Sequence, residues 1–342
     1  MKALALISGG LDSLLAVAKV KAQGIEVIGI NFRTPFGLVH KDKTAGLHNW
    51  AEELASNFGI ELKTVDISDA FLEIIKKPRY GFGDNMNPCI DCKILMLSKV
   101  REMMVDLGAS FVVTGEVLGQ RPMSQNLAAL KLIEKESNLE GLLVRPLSAL
   151  VLEETLPEKM GWIDRNKLSD FRGRGRKPQI QEAERLGLKD YPTPAGGCLL
   201  TDPEFSFRLK DLLRYGNLDL NNIELLKIGR HFRLSESAKL VVGRNQKENE
   251  RILRLAQDND YIFMPVDVVG PTALGRGYLD EELVQLSCRI VCYYCDLNGR
   301  ENIEITLKIV PQKQERLLNV SVSGDDSYHY NLLSINKLYF HK

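Results

Sequence analysis

The chain has 342 residues, enough for two domains, and its 44% hydrophobic share supports a full core. Lys plus Arg and Asp plus Glu both number 45, so the net charge is zero. That excludes a chain that coats nucleic acid along its whole length, though not a local basic patch. No apolar run approaches the roughly 20 residues that cross a bilayer, so no membrane partner is expected and the compartment is expected to be cytoplasmic. The six cysteines are then expected to be metal ligands or catalytic thiols rather than disulfides.

In chain order, Ala3–Ile7 reads as a strand. This short apolar run leads straight into glycines, which marks it as a strand and not a signal peptide. Ser8-Gly9-Gly10-Leu11-Asp12-Ser13 follows, and Leu14–Gln23 reads as a helix stopped by Gly24. A strand that ends in Ser-Gly-Gly and opens a helix is built to hold an anion. The glycines let the backbone turn and approach a ligand, and the free N–H groups of the first turn face a phosphate. Ser8 and Ser13 add hydroxyls. Asp12, a carboxylate beside phosphate, makes sense if Mg²⁺ bridges the two.

Glu26–Phe32 reads as strand, Thr44–Phe58 as helix, Leu62–Asp66 as strand, Cys92–Leu107 as helix and Phe111–Thr114 as strand. The alternation predicts an α/β fold, a doubly wound parallel sheet with helices on both faces. Ligands in such sheets sit at the carboxyl ends of the strands. The glycine loop, Asn31-Phe32 and Thr114-Gly115 all fall at such ends and are expected to share one nucleotide pocket. Beyond Asp202, Phe205–Leu213 reads as an amphipathic helix. Leu225–Ile228, Lys239–Val242, Tyr261–Met264, Leu283–Cys292 and Ile303–Ile309 read as strands, with a helix at Gln246–Gln257. The expected division is a catalytic domain over 1–215 and a smaller α+β domain over 216–342, ordered to its tail.

Three cysteines sit among turn residues: Cys89 and Cys92 in Asn87-Pro-Cys-Ile-Asp-Cys, and Cys198 in Pro-Ala-Gly-Gly-Cys. A helix N-terminus lowers a thiol's pKa. Two roles fit. Three thiolates can hold a [4Fe–4S] cluster with one iron open, or one cysteine carries a persulfide and another resolves it. A closed zinc site would need a fourth ligand. Cys288, Cys292 and Cys295 have C-x-x-x-C-x-x-C spacing, but they lie in what reads as a buried strand, and core packing accounts for them better. Phe171-Arg-Gly-Arg-Gly-Arg-Lys177 concentrates four cations, Arg172, Arg174, Arg176 and Lys177, on what reads as a flexible loop suited to a phosphate backbone. His231, between arginines and Phe232, reads either as a base-stacking group or as a buried structural histidine.

Ser-Gly-Gly-x-Asp-Ser resembles the pyrophosphate loop of the PP-loop ATP pyrophosphatases. Thr114-Gly-Glu-Val-Leu-Gly-Gln120, followed by Ser124-Gln125 and later by Val144-Arg-Pro-Leu147, resembles the 4-thiouridine synthetases. Asn-Pro-Cys-x-x-Cys with a later loop cysteine is similar to the 2-thiouridylases. The resemblance covers about residues 1–200. It implies ATP and Mg²⁺ at Ser8, Gly9, Gly10, Asp12, Ser13, Asn31, Phe32, Thr114, Gly115, Gln120 and Ser124. It implies catalysis by Asp12, Cys89, Cys92 and Cys198, the thiols also being the candidate cluster ligands. The reaction implied is adenylation of a tRNA uridine carbonyl followed by sulfur transfer, with a cysteine desulfurase or sulfide as donor. The sequence lacks the N-terminal RNA-binding domain and the rhodanese-like carrier of the classical synthetases. Val242-Gly-Arg244-Asn245 with a second Asn at 249 resembles the RNA-binding segment of the NFACT family, which implies RNA contact at Arg244 and Asn245. Competing classes are a PP-loop amidation or ligase enzyme, which has no use for three loop cysteines, and a non-catalytic nucleotide- and RNA-binding protein, against which the intact Asp12 and Ser13 argue.

Overall fold

The computed structural model describes residues 1–37, 41–42, 46–47, 50–188, 191, 198–312, 314–321 and 327–338. It divides into two compact units, Met1–Thr201 and Asp202–Lys342. The division falls earlier than the expected boundary after residue 215. The helix Pro203–Tyr215 packs within the second unit, where its Arg208 donates to Leu226 O at 3.0 Å.

In the first unit the strands are β1 (Lys2–Leu6), β2 (Glu26–Arg33), the short pair β3 (Lys41–Asp42) and β4 (Gly46–Leu47), β5 (Glu61–Asp66), β6 (Phe111–Val113) and β7 (Leu143–Val144). The main sheet runs β5-β2-β1-β6-β7 and is parallel throughout. Its helices are α1 (Leu11–Lys21), α2 (Trp50–Asn57), α3 (Ser68–Lys76), α4 (Cys89–Asp106), α5 (Leu127–Glu136), α6 (Leu156–Lys159) and α7 (Lys177–Arg185). The helix expected from Thr44 is seen from Trp50; residues 44, 45, 48 and 49 lie outside the described set.

Alternation along β1 divides the core. Ala3 and Ala5 face a cluster with Leu14, Leu15, Val17 and Leu54 of α1 and α2. Leu4 faces Leu97, Val100 and Met104 of α4 on the other side. Two-sided burial explains the apolar run, and it makes the sheet doubly wound. The chain leaves β1 toward β2 on one side, and β6 lies on the other, so the strand order reverses beside β1 and opens a crevice at its carboxyl end.

The second unit carries α8 (Pro203–Tyr215), α9 (Leu220–Leu226), β8 (Arg230–Arg233), β9 (Ala238–Val242), α10 (Gln246–Leu255), β10 (Tyr261–Pro265), β11 (Ala273–Gly277), α11 (Glu281–Tyr293), β12 (Asn302–Ile309), β13 (Glu315–Ser321), α12 (Ser327–Leu333) and α13 (Ile335–Leu338). Its sheet is antiparallel, in the order β13-β12-β10-β11-β9-β8. Two expected strands are helices. Over 225–228 the chain finishes α9, capped by Asp219, which accepts from Asn222 N at 2.7 Å. Over 283–292 it runs through α11, capped by Asp280, which accepts from Leu283 N at 2.9 Å. Buried Val284, Ser287, Cys288, Val291 and Cys292 recur at helical spacing on its inner face. The core role expected of Cys288 and Cys292 holds on a helix instead of a strand.

One row of this sheet carries unusual charge. Arg233, Lys239 and Arg276 pair side by side across β8, β9 and β11. Arg233 is neutralised by Asp211, and Arg276 by Asp260 at 2.6 Å. Lys239 is buried and its Nζ has no hydrogen-bond partner. Burial, with Arg276 and Arg233 beside it, pulls its pKa from an ordinary 10.5 down to about 7. The unfolded chain therefore takes up a proton that the folded chain refuses between those values, and stability should rise with pH across that window. Lys239→Met should stabilise the protein at pH 7 by about 1–4 kcal/mol. Denaturant unfolding at pH 7 and pH 9.5 checks this: the variant should show a flatter pH slope than the parent, and equal slopes would count against the buried-charge account.

Candidate functional site

The glycine loop lies in the crevice. Gly9 turns in the left-handed region at φ +79° and Gly10 caps α1 without a side chain. Ser13 Oγ donates to Gly10 O at 2.7 Å, and Ser8 Oγ stands 3.5 Å from Ser13 Oγ. Asn31 Nδ2 donates to Ile7 O at 2.7 Å, so Asn31 braces the end of β1, while Phe32 packs into the α4-side cluster.

The segment after β6 closes on this loop. A Cβ on Gly115 would fall 2.5 Å from the carbonyl carbon and oxygen of Asp12, so only glycine allows the approach. Gln120 Nε2 donates to Asp12 Oδ2 at 3.2 Å, while Asp12 Oδ1 is buried with no partner. Burial raises the pKa of Asp12, against Arg176, the Gln120 hydrogen bond and Arg121, which lower it. A buried carboxylate oxygen without a partner, beside the first turn of α1, suits a hard cation. Thr114 donates to Glu116 at 3.2 Å. Burial pushes Glu116 up, but Lys93 and Arg145 outweigh it and hold its carboxyl below the usual range. Arg145, the arginine of Val-Arg-Pro-Leu, reaches Glu116 at 3.1 Å and pairs with Glu134, tying β7 to the segment after β6.

Cys89 opens α4 and Cys92 lies in its first turn. Cys198 is set beside them by two anchors. Leu199 N donates to Phe36 O at 3.0 Å, and Met86 N donates to Leu200 O at 3.1 Å. Residues 192–197 of the loop before Cys198 lie outside the described set. The three thiols act electrostatically on one another, since Cys92 feels both Cys198 and Cys89. Their acidities run against expectation. Burial raises Cys89 despite its place at the helix start, and lifts Cys92 to about 12 and Cys198 to about 11. Desolvation outweighs the helix dipole here. Among the described residues, no three His, Cys, Asp or Glu side chains stand close enough to hold a metal ion.

Arg121, directly after the Thr114–Gln120 motif, is a site residue that no sequence pattern singles out. It is exposed, and its charge acts on Asp12 and on Cys89, Cys92 and Cys198. Ser124 is buried and hydrogen-bonded to Cys89.

The basic loop is pinned rather than flexible. Gly173 N donates to Leu118 O at 2.7 Å, Phe171 N donates to Leu147 O at 2.8 Å, and Arg172 bridges to Leu118. Arg172, Arg174 and Lys177 are exposed, whereas Arg176 is half-buried and acts on Asp12. Lys19 and Glu182 pair at 2.6 Å, which ties α7 to α1.

In the second unit, Arg244 is exposed and forks onto Glu248, at 2.6 Å for the closer nitrogen. Asn245 caps α10 by accepting from Glu248 N at 3.1 Å. Asn249 Oδ1 accepts from Thr272 N at 3.1 Å and fills the space over Gly243. His231 is buried, with Nε2 at 2.9 Å from Ile228 O, and burial holds its pKa well below the usual value. It is a core histidine and not a base-stacking group. No described helix is long and apolar enough to cross a membrane.

Residues 1–156 match the family model described as thiamine biosynthesis protein (ThiI), and residues 229–330 match the NFACT protein RNA binding domain. A tRNA-specific 2-thiouridylase MnmA 1 of Caldanaerobacter subterraneus subsp. tengcongensis is 32% identical over 121 residues, 32% of this chain and 33% of that protein. A tRNA sulfurtransferase of Desulfurococcus amylolyticus is 27% identical over 155 residues, 45% of this chain and 31% of that protein. The chain spans about a third of the length of these curated relatives. The U34-tRNA thiolase NcsA of Methanococcus maripaludis, solved with its [4Fe-4S] cluster, superposes at a TM-score of 0.34 with 19% identity, over 66% of this chain and 73% of that one.

Proposed function

We propose that this chain, of the ThiI family over residues 1–156 and the NFACT RNA-binding type over 229–330, thiolates a uridine of tRNA with ATP. The reading rests on one observation: Asp12 beside the glycine loop and three cysteines on other segments all lie within the field of one guanidinium, Arg121. Phosphate chemistry and sulfur chemistry are therefore neighbours, which an amidation enzyme has no need of.

The phosphates of ATP lie against the free N–H groups at the start of α1, with Ser8 and Ser13 as further donors. Asp12 Oδ1 would hold Mg²⁺, which offsets phosphate charge. The uracil carbonyl oxygen attacks the α-phosphorus and the bond to pyrophosphate breaks, leaving an adenylated base. The terminal sulfur of a persulfide on Cys198 attacks the activated carbon, and AMP leaves with its oxygen. Cys89 or Cys92 as thiolate then attacks Cys198 Sγ. A disulfide forms, the thiouridine is freed, and a thiol reductant resets the enzyme. A cysteine desulfurase supplies the sulfur as a persulfide: the Cys198 thiolate attacks its outer sulfur and the donor's cysteine leaves as a thiolate. A [4Fe–4S] cluster, if bound, would be held by the same three thiols, Cys89, Cys92 and Cys198, and would supply the sulfur as sulfide on its open iron. Pyrophosphate release from ATP in the presence and absence of tRNA, with mass spectrometry of the tRNA nucleosides, tests the reaction. Release without any thiouridine would leave adenylation but remove thiolation.

Arg172, Arg174 and Lys177 bind tRNA phosphates in this reading, with Arg244 and Asn245 in the second unit. Arg176, set apart by burial, takes ATP phosphate. Neutralising Arg172, Arg174 and Lys177 together should weaken tRNA binding and flatten its salt dependence, by a slope of about 0.7–0.9 per lost contact, with ATP affinity unchanged. Arg176→Gln should weaken ATP instead. A salt slope identical to the parent's would remove the loop from the RNA interface.

A further inference from the structure

One end of the second unit's sheet gathers three loops. Gly243 N donates to Thr272 O at 3.0 Å and Thr272 N donates to Asn249 Oδ1 at 3.1 Å, which locks the loop after β9 to the loop before β11. Asp296 N donates to Val269 O at 2.8 Å, and a Cβ on Gly270 would run into Cys295, so the turn after α11 closes on that same loop. Arg230, at the start of β8, joins the set. Its Nη1 donates to Gly243 O at 3.3 Å, and its guanidinium carbon lies 4.4 Å from the centre of the Tyr294 ring, a cation–π contact.

Two groups here are left open to a ligand. Tyr293 is braced edgewise by Tyr294 at 4.9 Å and by Tyr330 at 5.7 Å, yet it stays 48% exposed. Arg244 is neutralised by Glu248, but Arg230 pairs with no carboxylate among the described residues, and its bond to one carbonyl leaves most of its donors unused. A fixed, exposed aromatic ring beside an uncompensated guanidinium suits a nucleobase and its phosphate. Every base has a π-face to stack, and the guanidinium fork matches phosphate oxygens. Asp267 and Asp296, exposed on the same loops, repel a continuous phosphate track. The patch thus suits one or two unpaired nucleotides and not a duplex, whose bases are already stacked.

Building on the reading that this chain acts on tRNA, we infer that Tyr293 and the Arg230–Tyr294 pair form a platform for unpaired nucleotides of that RNA, with a base on Tyr293 and a phosphate on Arg230. The loop carrying Arg244 and Asn245 forms its rim.

Fluorescence anisotropy of the full chain with a labelled short single-stranded RNA, and with a hairpin duplex of matched length, tests this. The parent should favour the single strand. Tyr293→Ala should weaken single-strand binding about tenfold or more and leave the duplex little changed. Tyr293→Phe, which keeps the ring, should bind like the parent, and Tyr293→Leu, which keeps only apolar bulk, should behave like Tyr293→Ala. Arg230→Gln should weaken the single strand and lower its salt slope by about 0.7, the value for one lost phosphate contact. Because Tyr293 is exposed, its series carries the test even if Arg230→Gln loosens β8. Single-strand binding equal in the parent and Tyr293→Ala would overturn the inference, and so would full rescue by Tyr293→Leu. Nucleoside mass spectrometry of tRNA treated with the parent separates this result from the reaction. Thiouridine made by a parent whose Tyr293 variants all bind alike would remove the platform alone. A parent that makes none, but loses single-strand affinity on Tyr293→Ala, would keep the platform and remove the thiolation reading.

Discussion

Asp12→Ala should abolish pyrophosphate release, with a loss of about 10²–10³-fold or more for removing a positioned charge at the reacting phosphates. The same change should not weaken the fold. The pKa of Asp12 is raised by burial above its ordinary 3.8, so the unfolded chain ionises first as pH rises. Ionised Asp12 thus disfavours folding at neutral pH, and the penalty develops above 3.8 and persists to pH 7. Removing the carboxylate relieves it. Activity lost with stability held or gained marks a group kept for function rather than for the core. A thermal-unfolding series across pH 4–8, with a pyrophosphate assay, reads both; a variant that turns over normally would end the assignment of Asp12.

Cys198→Ser should eliminate thiouridine from the product while pyrophosphate release continues, because adenylation does not use the sulfur. Burial sets the second half of this prediction. A thiol lifted to about 11 holds little thiolate at pH 7.5. Alkylation of Cys198 in the free protein should therefore be about a hundredfold slower than that of an ordinary thiol of pKa about 8.5. Fast alkylation at neutral pH would contradict the buried arrangement, and thiouridine formation by the serine variant would contradict the role.

The first unit was largely legible in the sequence because its elements carry local signals. The run Ala3–Ile7, Gly24 as a helix stop, and the Ser-Gly-Gly turn each point one way. The second unit was less so. Ile290-Val291-Cys292 looks like strand by composition, and only Asp280, read as a cap, announces a helix. The acidities of the thiols and of Lys239, and the burial of His231, come from segments far along the chain, and no local pattern encodes how much water a fold will leave beside a given atom. The basic loop looked mobile from its glycines. Its anchors are backbone bonds to Leu118 and Leu147, which side-chain identity does not announce. Arg121 follows directly on the Thr114–Gln120 motif, but its reach toward Asp12 and the thiols is set by the fold and not by its neighbours in sequence.

The contact between Gly115 and the backbone of Asp12 has a mechanical meaning. With no side chain between them, the strand end after β6 and the first turn of α1 touch as two rigid surfaces, without the give of a rotatable group. Leu118, three residues on, is stitched to Arg172 and Gly173. A tug on the basic loop is thus handed from backbone to backbone until it reaches the phosphate cradle. In the proposed reading, an RNA strand gripping that loop presses on the bound nucleotide through a stiff linkage, with no charge needing to change hands.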